Sequence, residues 1–203
     1  MFDKTTFVVV DLETTGLNAA LDSIVEIGAV KMVNGEIVEE WSTMVNPGIY
    51  VPTECTQISG ITTEMLKDSP KLEDVMDDFL KILGTDSIFV AHNADFDRTF
   101  LNSHLEKMQR APMPNPYLCT FKLAKTVHPN LSKYGLGSLT TTFGIELPQA
   151  HRALHDARAT AQLLSKFLKV LQNGGLKQLK DIPHIQNLPK DVKNLVEGQV
   201  SMF

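Results

Sequence analysis

Four apolar residues, Phe7-Val8-Val9-Val10, run directly into Asp11-Leu12-Glu13-Thr14-Thr15-Gly16. The β-branched run reads as a strand buried on both faces, with polar chemistry where it emerges. Downstream, Ile24 to Val33 and Glu36 to Val45 flank Asn34-Gly35. That pair suits the two φ > 0 positions of a type I′ turn and predicts a hairpin. Residues 46–61 contain Pro47, Gly48, Pro52 and Gly60 and read as a loop. Pro70 to Leu83 predicts a helix with Leu72, Val75, Phe79 and Leu83 on one face. Ser87 to Ala91 reads as a short strand, and Asn93 as the cap of a helix running to about Met108. The prolines at 112, 114 and 116 end that helix, and Tyr117 to Cys119 reads as a final short strand. Helices are expected at 120–127, 136–143 and 153–172, the last stopped by Asn173-Gly174-Gly175. A strand, a hairpin, then strands alternating with helices predict an α/β domain, a mixed sheet flanked by helices. It is expected to span residues 1–174, with 175–203 as a tail.

Composition narrows the class. Of the 203 residues, 43% are apolar and 21% charged, which excludes global disorder and low-complexity fibres. Cys55 and Cys119 cannot build a disulfide framework and have no metal-type spacing. Apolar runs are only a few residues long, and Met1-Phe2-Asp3-Lys4 does not open a signal segment. The expectation is a cytoplasmic protein with no membrane partner. The net charge is −5, with the tail at +1 and the first 174 residues carrying 15 bases against 21 acids. An acidic body disfavours a broad groove for duplex DNA. It leaves room for an enzyme that grips a few nucleotides through bound cations.

Several carboxylates stand where carboxylates are costly. Asp97 shares a helical face with Leu101, Leu105 and Met108, and Asp156 shares one with Thr160, Leu163, Leu164 and Phe167. Asp11 and Glu13 lie two apart on a strand and so point to one sheet face. An unpaired charge on a core-facing stripe costs several kcal/mol. Like charges side by side need a cation or a raised pKa. No lysine or arginine is matched to these four inward acids, so hard cations are the expected compensation. Oxygen ligands favour Mg²⁺ or Mn²⁺ over zinc. Four carboxylates suit a pair of ions about 3.5–4 Å apart, the arrangement used for phosphodiester chemistry. Asp95, by contrast, reads as a cap or dipole partner.

His151 lies five positions before Asp156, about 140° away on a continuous helix. It is therefore placed before the helix, in the loop after Pro148, leaning over the site. A neutral imidazole there could take a proton from an attacking water. His155 is about 100° round the helix from Asp156 and is set aside. His104, His128 and His184 read as structural or merely exposed.

The residues Asp11 to Leu17, Ala91 to Asp97 and His151 to Ala157 resemble, in order, the three motifs of the DEDDh 3′→5′ exonucleases. Ile58 to Thr62 and Leu118 to Thr120 resemble weaker elements between them. The likeness spans roughly residues 5–172 and is strongest to the ε-type proofreading branch that serves bacterial replicative polymerases. It implies a ribonuclease-H-like fold and two divalent cations held by Asp11, Glu13, Asp97 and Asp156. His151 is implied as the general base. Thr14, Thr15, Gly16 and Leu17 are implied to hold the terminal nucleotide, with Ile61, Asn93 and Phe96 lining its pocket. Ile61 and Phe96 read equally well as core. The implied reaction releases nucleoside 5′-monophosphates from a single-stranded or frayed DNA 3′ end during proofreading or repair. Two rivals remain open: an RNA-trimming exoribonuclease similar to ribonuclease T or oligoribonuclease, and a non-catalytic domain that binds a replication partner.

The tail carries one more resemblance. Gln199-Val200-Ser201-Met202-Phe203 is similar to the sliding-clamp-binding motif of bacterial replication proteins, with Gln199, Val200, Met202 and Phe203 as its contact residues. It implies a clamp partner and, less directly, the replicative polymerase. The other reading has Met202 and Phe203 folding back onto the domain's own core. Leu188, Val192, Leu195 and Val196 follow helical spacing just before it, and Gly198 ends them.

Overall fold

The computed structural model describes residues 5–176 and 178–187. The apolar run becomes β1, Thr6–Thr14, and the hairpin becomes β2, Ile24–Val33, and β3, Glu36–Met44. Asn34 and Gly35 both have positive φ, 56° and 79°, as the type I′ turn requires. Three helices follow: α1, Thr53–Ser59, α2, Thr63–Leu66, and α3, Leu72–Leu83. Then come β4, Ile88–Ala91, α4, Ala94–Lys107, β5, Tyr117–Cys119, α5, Thr120–Val127, α6, Leu136–Phe143, and α7, Ala153–Asn173.

The strands form one mixed sheet in the order β3-β2-β1-β4-β5-β6, where β6 is Ile185–Gln186. The β1–β2, β2–β3 and β5–β6 pairs are antiparallel, while β1–β4 and β4–β5 are parallel. β1 alternates strictly. Val8, Val10 and Leu12 join a core with residues of α3 and α4, whereas Phe7 and Val9 join a second core with α5, α6 and α7. Central strands covered by helices on both faces explain the uninterrupted apolar run of β1.

β4 pairs with β1 only as far as Val9, and the chain leaves β4 after Ala91 to start α4. Asp11 and Glu13 therefore lie beyond the β4 pairing, where β1 has β2 on one side only. Such a crevice at the carboxyl ends of parallel strands is where α/β folds place ligands.

Three local readings change. The segment read as a loop holds α1 and α2. Pro52 sits at the N-cap of α1 and Gly60 at its left-handed C-cap, φ 73°, so these residues bound a helix rather than preclude one. Asn93 occupies the N-cap of α4 but makes no side-chain capping bond. Tyr117–Cys119 is not the last strand. After α7 the chain makes a 3₁₀ turn, Leu179–Asp181, and returns as β6 beside β5. Leu176, Leu179, Ile182 and Ile185 pack into the α5–α7 core. The expected division at 174/175 thus falls ahead of a segment that adds to the sheet. The clamp-like residues Gln199, Val200, Met202 and Phe203, and the apolar spacing from Leu188 to Val196, lie outside the described residues.

Among the described residues no helix is long and apolar enough to cross a membrane.

Candidate active site

Three elements deliver the four acids to one place. β1 carries Asp11 and Glu13, the first turn of α4 carries Asp97, and the first turn of α7 carries Asp156. Asp97 and Asp156 are buried despite their charge. His151 lies before α7 with φ 60°, exposed, and its amide donates to Asp156 Oδ2 at 3.2 Å. One ligand atom each from Glu13, His151 and Asp156 falls within 4.8 Å of the others. The helical face that singled out Asp97 holds: Leu101 and Leu105 are buried with it. Asp95 is exposed and pairs with Lys122 at 2.5 Å, and that bond holds its carboxyl below the usual range.

The electrostatics are those of an acid cluster in which burial and mutual repulsion outweigh the nearby positive charge. Burial first, then the charges of Asp97, Asp156, Glu13 and Glu26, push Asp11 well above the ordinary carboxylate range. Glu13 is raised to about 8 by burial and by Asp156, Glu26 and Asp97, with Arg152 opposing. Burial raises Asp97 to about 7 against the pull of its own amide and that of Leu12. Burial also raises Asp156, against the His151 amide. At neutral pH the bare cluster cannot hold all its charges comfortably. Asp156 Oδ1 is moreover buried with no hydrogen-bond partner. An orphaned carboxylate oxygen among convergent acids fits an oxygen-liganded cation, because nothing else described in the chain satisfies it.

The substrate residues implied by the resemblance divide by position. Thr15 is buried and braces the loop after β1: its amide donates to the Ser23 carbonyl and its Oγ1 accepts from the Ser23 amide, both at 2.9 Å. Thr14 Oγ1 donates to the Gly16 carbonyl at 2.6 Å. A Cβ on Gly16 would stand 2.4 Å from Asp22 Oδ2, so the loop closes tightly there. Leu17, 86% exposed, and Phe96 line one open cavity of about 690 Å³ with Asp95 and Phe100. Asn93 is exposed. Ile61 is fully buried with Val25, Val51 and Leu66, which is the core reading of that residue.

Sequence reasoning missed Glu26 and Arg152. Glu26 is only 4% exposed and takes two bonds from Arg152 Nε, at 3.3 and 3.2 Å, and one from Nη2 at 3.0 Å. The Ala153 amide donates to it at 3.0 Å. Its signal was a lone acid inside the apolar run Ile24 to Val30. Next to it, a Cβ on Gly28 would lie 2.3 Å from the Ala153 carbonyl carbon, so α7 starts directly against β2.

The family model described as Exonuclease matches residues 8–164, which include every site residue described above. The chain belongs to the exonuclease family. Its relatives include the DNA polymerase III subunit epsilon of Aquifex aeolicus, 40% identical over 82% of this chain and 82% of that one. The PolC-type DNA polymerase III of Thermotoga maritima is 40% identical over 92% of this chain. The chain spans only 14% of that protein's length. Among solved structures, exonuclease X in complex with 5′ overhanging duplex DNA is 31% identical, with a TM-score of 0.69 over 87% of this chain and 96% of that one. E. coli exonuclease I bound to a dT13 oligonucleotide shares the fold, with a TM-score of 0.75 at 19% identity over 85% of this chain and 43% of that one. The architecture is the ribonuclease-H-like one that the three motifs implied.

Proposed function

We propose that this exonuclease domain removes nucleotides one at a time from DNA 3′ ends with the help of two divalent cations, Mg²⁺ or Mn²⁺. The observation that carries the reading is the convergence of Asp11, Glu13, Asp97 and Asp156, raised in pKa by burial and mutual repulsion, beside an exposed histidine. Bound among these acids, the cations would offset the phosphate's charge and polarise water and leaving group. The chain's own residues do the rest. His151 stands at the mouth of the cluster with its amide tied to Asp156 Oδ2. Its imidazole makes no hydrogen bond among the described residues and is free to take a proton from water. The loop from Thr14 to Leu17, braced by Thr15 and Ser23, presents Leu17 beside Phe96 as an apolar edge for the terminal base. Attack at the last phosphodiester leaves a nucleoside 5′-monophosphate.

The acidic body supports a single-stranded or frayed end as substrate, since few phosphates need be contacted. Likeness to polymerase III subunits supports a proofreading or repair role beside a replicative polymerase in the cytoplasm. The tail residues Gln199, Val200, Met202 and Phe203 are proposed as the clamp contact. Comparing clamp binding by the intact chain and by one ending at Gly198 tests that point.

The test of the main reading is digestion of matched DNA and RNA oligomers, labelled at the 5′ or the 3′ end, with Mg²⁺, Mn²⁺ or chelator. A ladder shortening from the 3′ end of DNA, with mononucleotide product and no cleavage in chelator, is expected. Cleavage in chelator, shortening from the 5′ end, or a strong RNA preference overturns it.

A further inference from the structure

Glu26 faces Glu13 directly across the β1–β2 ladder. Paired residues of an antiparallel ladder project from the same face with Cβ atoms about 5 Å apart. A fifth carboxylate is thus built in beside four that already repel one another. Left alone and buried, it would cost several kcal/mol and sharpen the repulsion. Arg152 answers it with a fork of three bonds, and the Ala153 amide adds a fourth. The same guanidinium acts on Glu13 through its charge. Arg152 belongs to the chain between His151 and the first turn of α7, which carries Asp156.

We propose that Glu26 is a positioning residue: it retains the Arg152 guanidinium, so that Glu13 stays open to a cation. The inference rests on the cation-binding reading above. An arginine fork matches any carboxylate, and Glu13 is the next one across the ladder. The Arg152 side chain is 28% exposed and has room to turn once Glu26 lets it go. Paired with Glu13, it would occupy a ligand and set a positive charge beside the cation.

The experiment is a calorimetric titration of the full chain with Mn²⁺ alone, alongside thermal unfolding in chelator. Glu26→Gln keeps the shape and removes the charge that holds Arg152. Its Mn²⁺ affinity is expected to fall about tenfold or more, by the added repulsion and the lost ligand. The double variant Glu26→Gln/Arg152→Gln lacks the ion pair too, yet is expected to recover to within about threefold of the native chain, because no guanidinium competes. A purely structural clamp would leave both variants equally weak. Arg152→Lys, which keeps the charge but not the fork, is expected to bind Mn²⁺ more weakly than the native chain and serves if Glu26→Gln does not fold. Native affinity in Glu26→Gln or in Arg152→Lys overturns the proposal, as does a double variant as weak as the single one. If the native chain itself binds no Mn²⁺, the cation-binding reading falls and takes this inference with it.

Discussion

Asp97→Asn should make the cation-free protein more stable at high pH while destroying its response to cations. Burial raises the Asp97 carboxyl from 3.8 to about 7. Below about pH 4 the group is protonated in both folded and unfolded chains and costs nothing. Between about pH 4 and 7 the unfolded chain ionises it and the folded chain resists, so stability falls as pH rises. Above about 7 the full cost is present. At about 1.36 kcal/mol per unit, a rise of roughly three units sets an upper limit of about 4 kcal/mol. Relaxation of the site and sharing of protons among the acids reduce this to an expected 1–2 kcal/mol, roughly. A domain of this size moves about 2–4 °C per kcal/mol, so the variant should melt about 2–8 °C above the native chain in chelator at about pH 8. The advantage should shrink at about pH 5, where most of the native carboxyl is protonated. The substituted amide also lifts from Asp11 the charge of Asp97, the chief electrostatic influence on it after burial.

Adding Mn²⁺ should reverse the order. A ligand at about a hundred times its dissociation constant stabilises the native chain by about 2.7 kcal/mol. The variant, missing one ligand, should gain much less. The assay is thermal unfolding at both pH values, with and without Mn²⁺. If the variant is no more stable than the native chain in chelator at about pH 8, or its advantage is as large at about pH 5, burial of an ionised Asp97 is not what strains the site.

Three other substitutions probe the arrangement. His151→Ala should slow turnover about 10²–10⁴-fold with KM nearly unchanged, measured by steady-state kinetics on a single-stranded oligomer; a native rate near neutral pH removes His151 from the chemistry. Asp95→Ala should keep most of the activity that Asp97→Ala loses, because Asp95 is exposed and engaged with Lys122; equal losses would mean the wrong aspartate faces the site. Gly28→Ala should lower stability by about 1–3 kcal/mol and activity with it, since its Cβ would meet the Ala153 backbone and push α7 off β2; unchanged melting would refute that contact.

What the sequence revealed follows from what is local in it. The type I′ hairpin depends on two adjacent residues, Asn34 and Gly35. The faces of α4 and α7 depend on positions three and four apart, which is why Asp97 and Asp156 were legible as inward-facing acids. α1 was not legible because its seven residues carry a single buried side chain, Ser59, and so no apolar stripe. Prolines and glycines then dominate the pattern, although they stand at the helix's ends. β6 was hidden for a similar reason: two residues have no periodicity to read. Glu26 was hidden differently. Its strand is apolar for a core reason, and its partner Arg152 lies 126 residues away. Only the register of β1 on β2, and the approach of α7 to Gly28, bring Glu26, Arg152 and Glu13 together. A motif records which acids a site contains. The residue that keeps a cationic neighbour from occupying them becomes visible only once the strands are paired.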